Sequence, residues 1–155
     1  MNEEKTEPTT WKTFPTIWEV LHDGSIVTAS GTVPGKVLLD VSIDYLRERF
    51  SDSGKTIRLT LIGCTRFAYR DFNAGEEFVT DLSAIAAMEP EVLNTETRDG
   101  LSIIDCAGGI LEIAAADALI ALDSGRSITL QELLDVSEAY WTEWKDKAER
   151  ARQQQ

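Results

Sequence analysis

Short runs of apolar residues, separated by glycine-containing turns, recur along this chain of 155 residues. Glycine adopts positive φ angles at little steric cost, so glycine in a polar context typically marks a chain reversal. Eight of the ten glycines stand in turn-like contexts: Gly24, Gly35, Gly54, Gly75, Gly100, Gly108, Gly109 and Gly125. Strand-length runs between such turns predict a mainly β (α+β) fold, as an antiparallel β-sandwich or an open barrel.

The clearest strand pattern covers residues 37–45, where apolar and polar residues alternate. A period of two places one face of a strand in the core and the other in water. The same alternation covers residues 57–69, and Gly63 interrupts it as a β-bulge would. The two segments are predicted to pair antiparallel. The candidates for an ion pair across this ladder are Asp40 or Asp44 with Arg58.

Two hairpins are predicted. The first joins residues 24–30 to residues 37–45. The second joins residues 101–106 to residues 110–115 through Ala107-Gly108-Gly109. Two adjacent glycines favour a type I′ turn in the second hairpin, because that turn needs positive φ twice.

A single helix is predicted at the C-terminal side, over residues 130–150. Thr129 and Glu132 form a capping box, in which each side chain accepts a hydrogen bond from the other residue's backbone N–H. Ile128 and Leu133 occupy the two positions of a hydrophobic staple. An apolar stripe at helical spacing follows: Leu130, Leu133, Leu134, Trp141, Trp144 and Ala148.

The length favours one domain with a proper core. We expect a flexible tail over residues 1–13, one globular domain over residues 14–150 with its β-rich part at 24–122, and a frayed tail at 151–155. Residues 78–88 stay open between helix and strand, because alanine and leucine favour a helix while the Phe-Val-Thr sequence favours a strand.

The composition is 43% hydrophobic and 27% charged, which is ordinary for a globular domain. No apolar run reaches the roughly 20 residues that a membrane span needs. The first residues are acidic and polar and do not resemble a secretory signal. The expectation is a cytoplasmic protein without membrane association.

Charge is segregated along the chain. Residues 71–123 hold twelve carboxylates and one basic residue, Arg98, which gives eleven net negative charges. Residues 11–70 hold six carboxylates and eight lysines or arginines. A negative field attracts basic surfaces and repels nucleic acid, so the partner we expect is a basic protein and not a nucleic acid.

His22 is the only histidine and stands just before Asp23-Gly24. A histidine beside a carboxylate is a candidate general base or metal ligand, but no second histidine or C-x-x-C motif completes a usual site. A structural turn is therefore the favoured interpretation. Cys64 and Cys106 lie in apolar runs and are predicted to be buried small hydrophobes, with a disulfide as the less favoured alternative.

No G-x-S-x-G motif, phosphate-binding loop or EF-hand sequence is present. We therefore predict no catalytic residue, no metal and no cofactor. The candidate binding residues are His22, Asp23, Glu76, Glu77, Asp99, Asp105, Trp141 and Trp144. For the carboxylates the favoured interpretation is a solvated face, and for the two tryptophans it is the core, with the helix packed across the sheet or over one end of it.

The segment Trp18-x-x-Leu21-His22-Asp23-Gly24-x-Ile26 resembles the start of several small bacterial β-rich families of unknown function. Certain immunity proteins of polymorphic toxin systems are among them. The resemblance covers about ten residues of the chain. It implies a bacterial source, a β-sheet domain and no known catalytic set, and it transfers no functional residue.

Three hypotheses follow. The first is a non-enzymatic, immunity-like or inhibitor-like module whose acidic half binds a basic protein. The second is a small-ligand-binding domain, or an enzyme, with a pocket where His22 and Asp23 converge with Asp99 or Asp105. The third is homo-oligomerisation through the aromatic helix face, so the oligomeric state stays open between monomer and homodimer.

Overall fold

The structure is a computed structural model that describes residues 13–154, with four helices and nine strands. The elements in chain order are α1 (Ile17–Val20), β1 (Ser25–Gly31), β2 (Gly35–Ser42), α2 (Asp44–Arg47), β3 (Thr56–Cys64), β4 (Arg66–Asp71), α3 (Leu82–Ala87), β5 (Val92–Arg98), β6 (Leu101–Cys106), β7 (Gly109–Ala114), β8 (Asp117–Leu122), β9 (Ser127–Ile128) and α4 (Leu130–Gln153). The predicted tail over residues 1–13 lies, except for Thr13, outside the described residues.

The strands form two antiparallel sheets. Sheet A has the order β1-β2-β3-β8-β9, and sheet B has the order β4-β7-β6-β5. Over the described residues neither sheet closes on itself. The predicted mainly β fold with a C-terminal helix is therefore confirmed, in the form of two open sheets.

The two sheets are joined where a pair of neighbouring strands turns a corner. The chain passes from β3 to β4 at Thr65 and returns from β7 to β8 at residues 115–116. The Thr65 N–H donates to the Ala114 carbonyl over 2.8 Å, and the Ala116 N–H donates to the Ile62 carbonyl over 2.8 Å. Strands that switch sheets at such a bend are a recognised way to make the corner of a sandwich.

The interruption predicted at Gly63 is present as a bulge in the β2–β3 pairing, where Ile62 and Gly63 of β3 lie opposite Lys36 alone. The corner at Thr65 follows directly after this strand. Gly63 has a φ of 61°, a conformation that glycine adopts without penalty. The alternation suggested that residues 57–69 form one strand. They instead belong to two strands, β3 and β4, one in each sheet. The alternation continues through the bend because the inner faces of both strands contribute to the same core.

Both predicted hairpins are present, as β1–β2 and β6–β7. The predicted type I′ turn is wrong, because neither Gly108 nor Gly109 has a φ in the left-handed region. That geometry occurs instead between β5 and β6, where Asp99 has a φ of 52° and Gly100 a φ of 81°. Aspartate tolerates positive φ better than most residues, which makes Asp-Gly as suitable as Gly-Gly.

The antiparallel pairing of β2 with β3 is confirmed, and Asp40 stands directly opposite Arg58. Their side chains form an ion pair with an Nε–Oδ1 distance of 2.8 Å. The predicted strand over residues 37–45 is too long, because β2 ends at Ser42 and α2 follows. Ile43 and Leu46 are both buried, and this spacing of three fits a helical turn rather than a strand.

One hydrophobic cluster unites the inner faces of both sheets with α1, α2, α3 and the start of α4. Trp18 lies within it and is fully buried. Cys64 and Cys106 are buried and free, as predicted. Burial raises the pKa of Cys64, and burial together with the charges of Asp105 and Glu91 raises the pKa of Cys106 to about 12. Neither thiol is therefore an activated nucleophile.

Helix α4 begins where the sequence predicted. Thr129 and Glu132 form the capping box, with hydrogen bonds of 2.8 and 3.0 Å. The helix continues to Gln153, past residue 150 and into the segment expected to fray. Strand β9 also falls outside the predicted β-rich range of 24–122. Within residues 78–88 the helical alternative is realised as α3, while Val79 forms a single β-bridge to Tyr69.

Candidate functional site

His22 and Asp23 lie on a tight turn between α1 and β1. Asp23 has a φ of 74°, and its N–H donates to the Val92 carbonyl over 2.7 Å. The Gly24 N–H donates to the Leu21 carbonyl over 2.8 Å. The His22 Nε2 and Asp23 Oδ2 atoms are 3.6 Å apart, and both side chains are nearly half exposed. The turn predicted here is confirmed, and it presents an imidazole and a carboxylate at the surface.

An aromatic cluster, formed by Tyr45, Tyr140, Trp141 and Trp144, adjoins this turn. The Tyr45 hydroxyl donates to the His22 carbonyl over 2.8 Å, and the Tyr45 ring lies 4.5 Å from Tyr140. The ring of Trp141 lies 5.9 Å from His22 and 6.0 Å from Trp144. The structure thus brings together four of the residues singled out from sequence, namely His22, Asp23, Trp141 and Trp144.

Helix α4 reaches this cluster by packing against α1 and α2. Of the two expected arrangements, the helix across the sheet or over one end of it, the first is not found, because the main contacts of α4 are with α1 and α2. Trp141 is partly buried against the two short helices, whereas Trp144 is 54% exposed. Sequence analysis missed Tyr45 because it assigned that residue to a strand. The spacing of three between Ile43 and Leu46, on either side of Tyr45, was the available signal of a helical turn.

One ion pair fixes the helix on the cluster. The Arg49 guanidinium donates to both carboxylate oxygens of Glu143, over 2.9 and 2.7 Å, and lies 5.5 Å from the Tyr140 ring centre. Hydrogen bonding to Arg49 lowers the pKa of Glu143. Burial, together with the charge of Asp23, raises the pKa of Tyr45 to about 12. Tyr45 therefore stays protonated near neutral pH and acts as a hydrogen-bond donor.

A cleft of about 310 Å³ opens on the other side of His22. It is lined by residues of α1 and β5, including Trp18, Glu19, Asn94 and Thr95. Trp18 Nε1 and Thr95 Oγ1 are both buried, and neither atom has a hydrogen-bond partner among the described residues. A buried polar atom without a partner costs free energy, so these two groups carry an uncompensated cost in the interior beside the cleft.

A second cleft, of about 320 Å³, lies at the β6–β7 turn. Its lining includes Tyr69, Asp71, Met88, Glu89 and Glu91. Asp105, in β6, is not part of this lining. We call Asp71, Glu89 and Glu91 the acidic end. Met88 is 37% exposed there and adds an apolar contact surface to it.

Half of the carboxylates in residues 71–123 have partners within the protein. They are Asp71 with the Asn73 N–H, Asp81 with the Ala84 N–H, Glu96 with Arg98, Glu112 with Arg66, Asp117 with the Phe14 N–H, and Asp123 with Arg47. The other six have no ion-pair or hydrogen-bond partner among residues 13–154. They are Glu76, Glu77, Glu89, Glu91, Asp99 and Asp105.

The predicted carboxylates are not gathered at one place. Glu76 and Glu77 are exposed in the loop after β4, and Asp99 is at the tip of the β5–β6 hairpin. His22 lies beside the first residues of β5, whereas Asp99 follows the end of that strand. Asp105 pairs with Asn94 in the ladder, one strand away from the His22 cleft. No described contact joins either carboxylate to His22.

Comparison with family models, with curated proteins and with solved structures finds no match to this chain. Among the described residues, no group of three or more histidines, cysteines and carboxylates is arranged to hold a metal ion. The helices in that same part of the chain are too short or too polar to cross a membrane.

Proposed function

We propose that this protein is a non-enzymatic binding module whose acidic end holds a basic partner protein. The observation that carries the proposal is that Glu89 and Glu91, which lack partners among the described residues, line one cleft together with Asp71. Carboxylates that are not engaged within the protein keep their full field in solvent. Such a field speeds the association of an oppositely charged partner.

The acidic end also offers apolar contacts. Met88 lines the cleft, and Phe72, directly after Asp71, is 55% exposed. Exposed apolar side chains beside a charged surface are a common composition for a protein interface, since they provide buried area while the charges provide orientation. The sharpest version of the proposal is an immunity-type inhibitor of a cationic toxin, such as a nuclease, whose basic surface would be neutralised.

Affinity capture with paired variants tests the proposal. The full chain, the variant Glu89→Lys/Glu91→Lys and the matched control Glu138→Lys/Glu149→Lys are immobilised and exposed at low salt to lysate of the source cells. Both variants change net charge equally, but only the first alters the acidic end. We expect a basic protein that the native chain and the control retain and that E89K/E91K loses. Equal retention by all three chains, or recovery of no basic protein, would overturn the proposal.

The His22 cleft supports a second candidate, a binding site for a small polar molecule. Trp18 Nε1 and Thr95 Oγ1 favour it, because a ligand with acceptor oxygens would give these buried atoms partners. Saturation-transfer NMR with small amides and carboxylic acids checks this candidate. Binding by the native chain that Thr95→Val abolishes would support it, and the absence of any saturation transfer would eliminate it.

A further inference from the structure

The second half of α4 extends beyond the body of the protein. Only Leu130 and Leu133 are fully buried in this helix, and from Thr142 to Gln154 every residue except Ala148 is exposed. The last described contact with the body is the ion pair of Glu143 with Arg49. At 1.5 Å per residue, residues 142–153 continue for about 18 Å.

The exposed segment presents a regular stripe. Trp141, Trp144, Ala148 and Ala151 follow at spacings of three, four and three residues, which is the pattern of a coiled-coil seam. Trp141 contacts the body, and Trp144 beside it is 54% exposed. A helical stretch of about 12 residues is marginal in water without packing, so a covered seam would stabilise this end of α4.

Basic residues flank the stripe on both sides. With 100° between successive residues, Lys145 and Arg152 lie along one side of it and Lys147 along the other. Asp146 and Glu149 lie on the side of the helix that faces away from the stripe. Residues that flank a seam face the partner helix and select it by charge. The charge here is complementary to an acidic partner.

We propose that the stripe Trp141–Trp144–Ala148–Ala151 is a docking site for an acidic amphipathic helix of another protein. The site goes beyond the proposed function, because it has the opposite charge to the acidic end and selects a different partner. A second copy of this chain fits poorly. An antiparallel pair with Trp144 against Ala148 places Lys145 opposite Lys145 and Lys147 opposite Lys147, and a parallel pair also brings basic flanks together.

Two synthetic helical peptides of about 20 residues probe the site. Both carry leucine at the seam positions; the acidic peptide has glutamate at the flanking positions and the basic peptide has lysine there. Isothermal titration calorimetry with the full chain measures the affinity for each of the two peptides. We expect the acidic peptide to bind and the basic peptide not to bind. In Lys145→Glu/Lys147→Glu the affinity for the acidic peptide should fall about tenfold, because two favourable charge contacts become repulsive.

The matched control is Lys36→Glu/Lys55→Glu, which changes net charge equally at exposed sites outside α4. It should bind the acidic peptide like the native chain, whereas Trp144→Ala should weaken binding. In the calorimetry, the proposal would be overturned by no binding of the acidic peptide, by equal binding of both peptides, or by equal effects of the two charge variants. A dimer that Trp144→Ala dissociates in light scattering, or Trp144-dependent binding to phosphatidylserine vesicles without peptide binding, would overturn it in favour of a second copy or a membrane. The acidic-end capture experiment is unaffected by these variants, so the two proposals fail separately.

Discussion

Arg47 is the one charged side chain that is fully buried among residues 13–154. Its guanidinium donates to Asp123 Oδ1 and to the carbonyls of Asp52, Ser53 and Thr56, over 2.8 to 3.1 Å. Burial disfavours the charged form of Asp123, but hydrogen bonds from the Lys55 N–H, from Arg47 and from the Thr56 N–H outweigh it. They lower the pKa of Asp123 to about 2. This pair joins α2 to the end of β8.

Removing one charge of this pair should destabilise the fold strongly. In Asp123→Asn the buried guanidinium loses its counter-charge, and we expect a loss of about 3 kcal/mol in the free energy of unfolding. The control Asp40→Asn alters an ion pair whose arginine is 41% exposed, and it should cost less than about 1 kcal/mol. Urea unfolding followed by circular dichroism measures both. Similar losses in the two variants would contradict this account.

The carboxylate of Asp123 should also make the free energy of unfolding depend on pH. Its pKa is 3.8 when the chain is unfolded and about 2 when it is folded. Its stabilising contribution is therefore fully present above the unfolded value and is lost as pH falls from about 4 to about 2. The free energy of unfolding should fall less steeply across this window in Asp123→Asn than in the native chain. Parallel slopes would show that another group controls acid unfolding.

Substitution of Gly54 tests how tightly the ion pair of Arg47 with Asp123 is enclosed. Gly54 has a φ of 154°, and a Cβ at this position would meet Asp123 Oδ1 and Arg47 Nη2. Gly125 has a φ of 104° with nothing within 4 Å of its Cβ position, so alanine there introduces backbone strain alone. Gly54→Ala should lower the midpoint of thermal unfolding well below that of Gly125→Ala. Equal midpoints would mean that the pair moves aside without cost.

At the scale of elements, local sequence patterns were sufficient to predict the structure wherever a few adjacent residues decide it. The capping box of α4 and the β1–β2 hairpin belong to this class. The sequence predicted the interruption at Gly63 but could not identify the corner at Thr65, because a change of sheet depends on how β7 and β8 pair elsewhere. It also misassigned Tyr45, whose place is set by contacts with α4 that are distant in sequence. The aromatic cluster was accordingly predicted only in part.

The capping box provides a prediction for α4. Thr129→Ala removes the acceptor for the Glu132 N–H and should cost about 1 kcal/mol in the free energy of unfolding. Thr142→Ala makes the same change at an exposed position within the helix, where alanine is the better helix former. We expect Thr142→Ala to be neutral or slightly stabilising in urea unfolding. A loss of similar size in both variants would show that the cap is not the cause.

At the scale of the whole molecule, the charge pattern read along the chain overstates the charge that the surface presents. Residues 71–123 are strongly acidic in sequence, yet Arg47 and Arg66 from the other half pair with Asp123 and Glu112. These pairs depend on which strands become neighbours, so composition could not predict them. Glu89 and Glu91 have no partner in the described structure, and their place at the acidic end carries the proposed function.

The association rate of the captured basic protein, measured over a range of ionic strength, tests this central proposal most directly. With the native chain the rate should fall at least about tenfold between low and high salt, because screening removes electrostatic steering. Glu89→Gln/Glu91→Gln should give a slower rate at low salt and a weaker dependence on salt, whereas Glu138→Gln/Glu149→Gln should match the native chain. A rate that does not depend on salt, or that is the same in all three chains, would contradict the assignment of the acidic end as the contact surface.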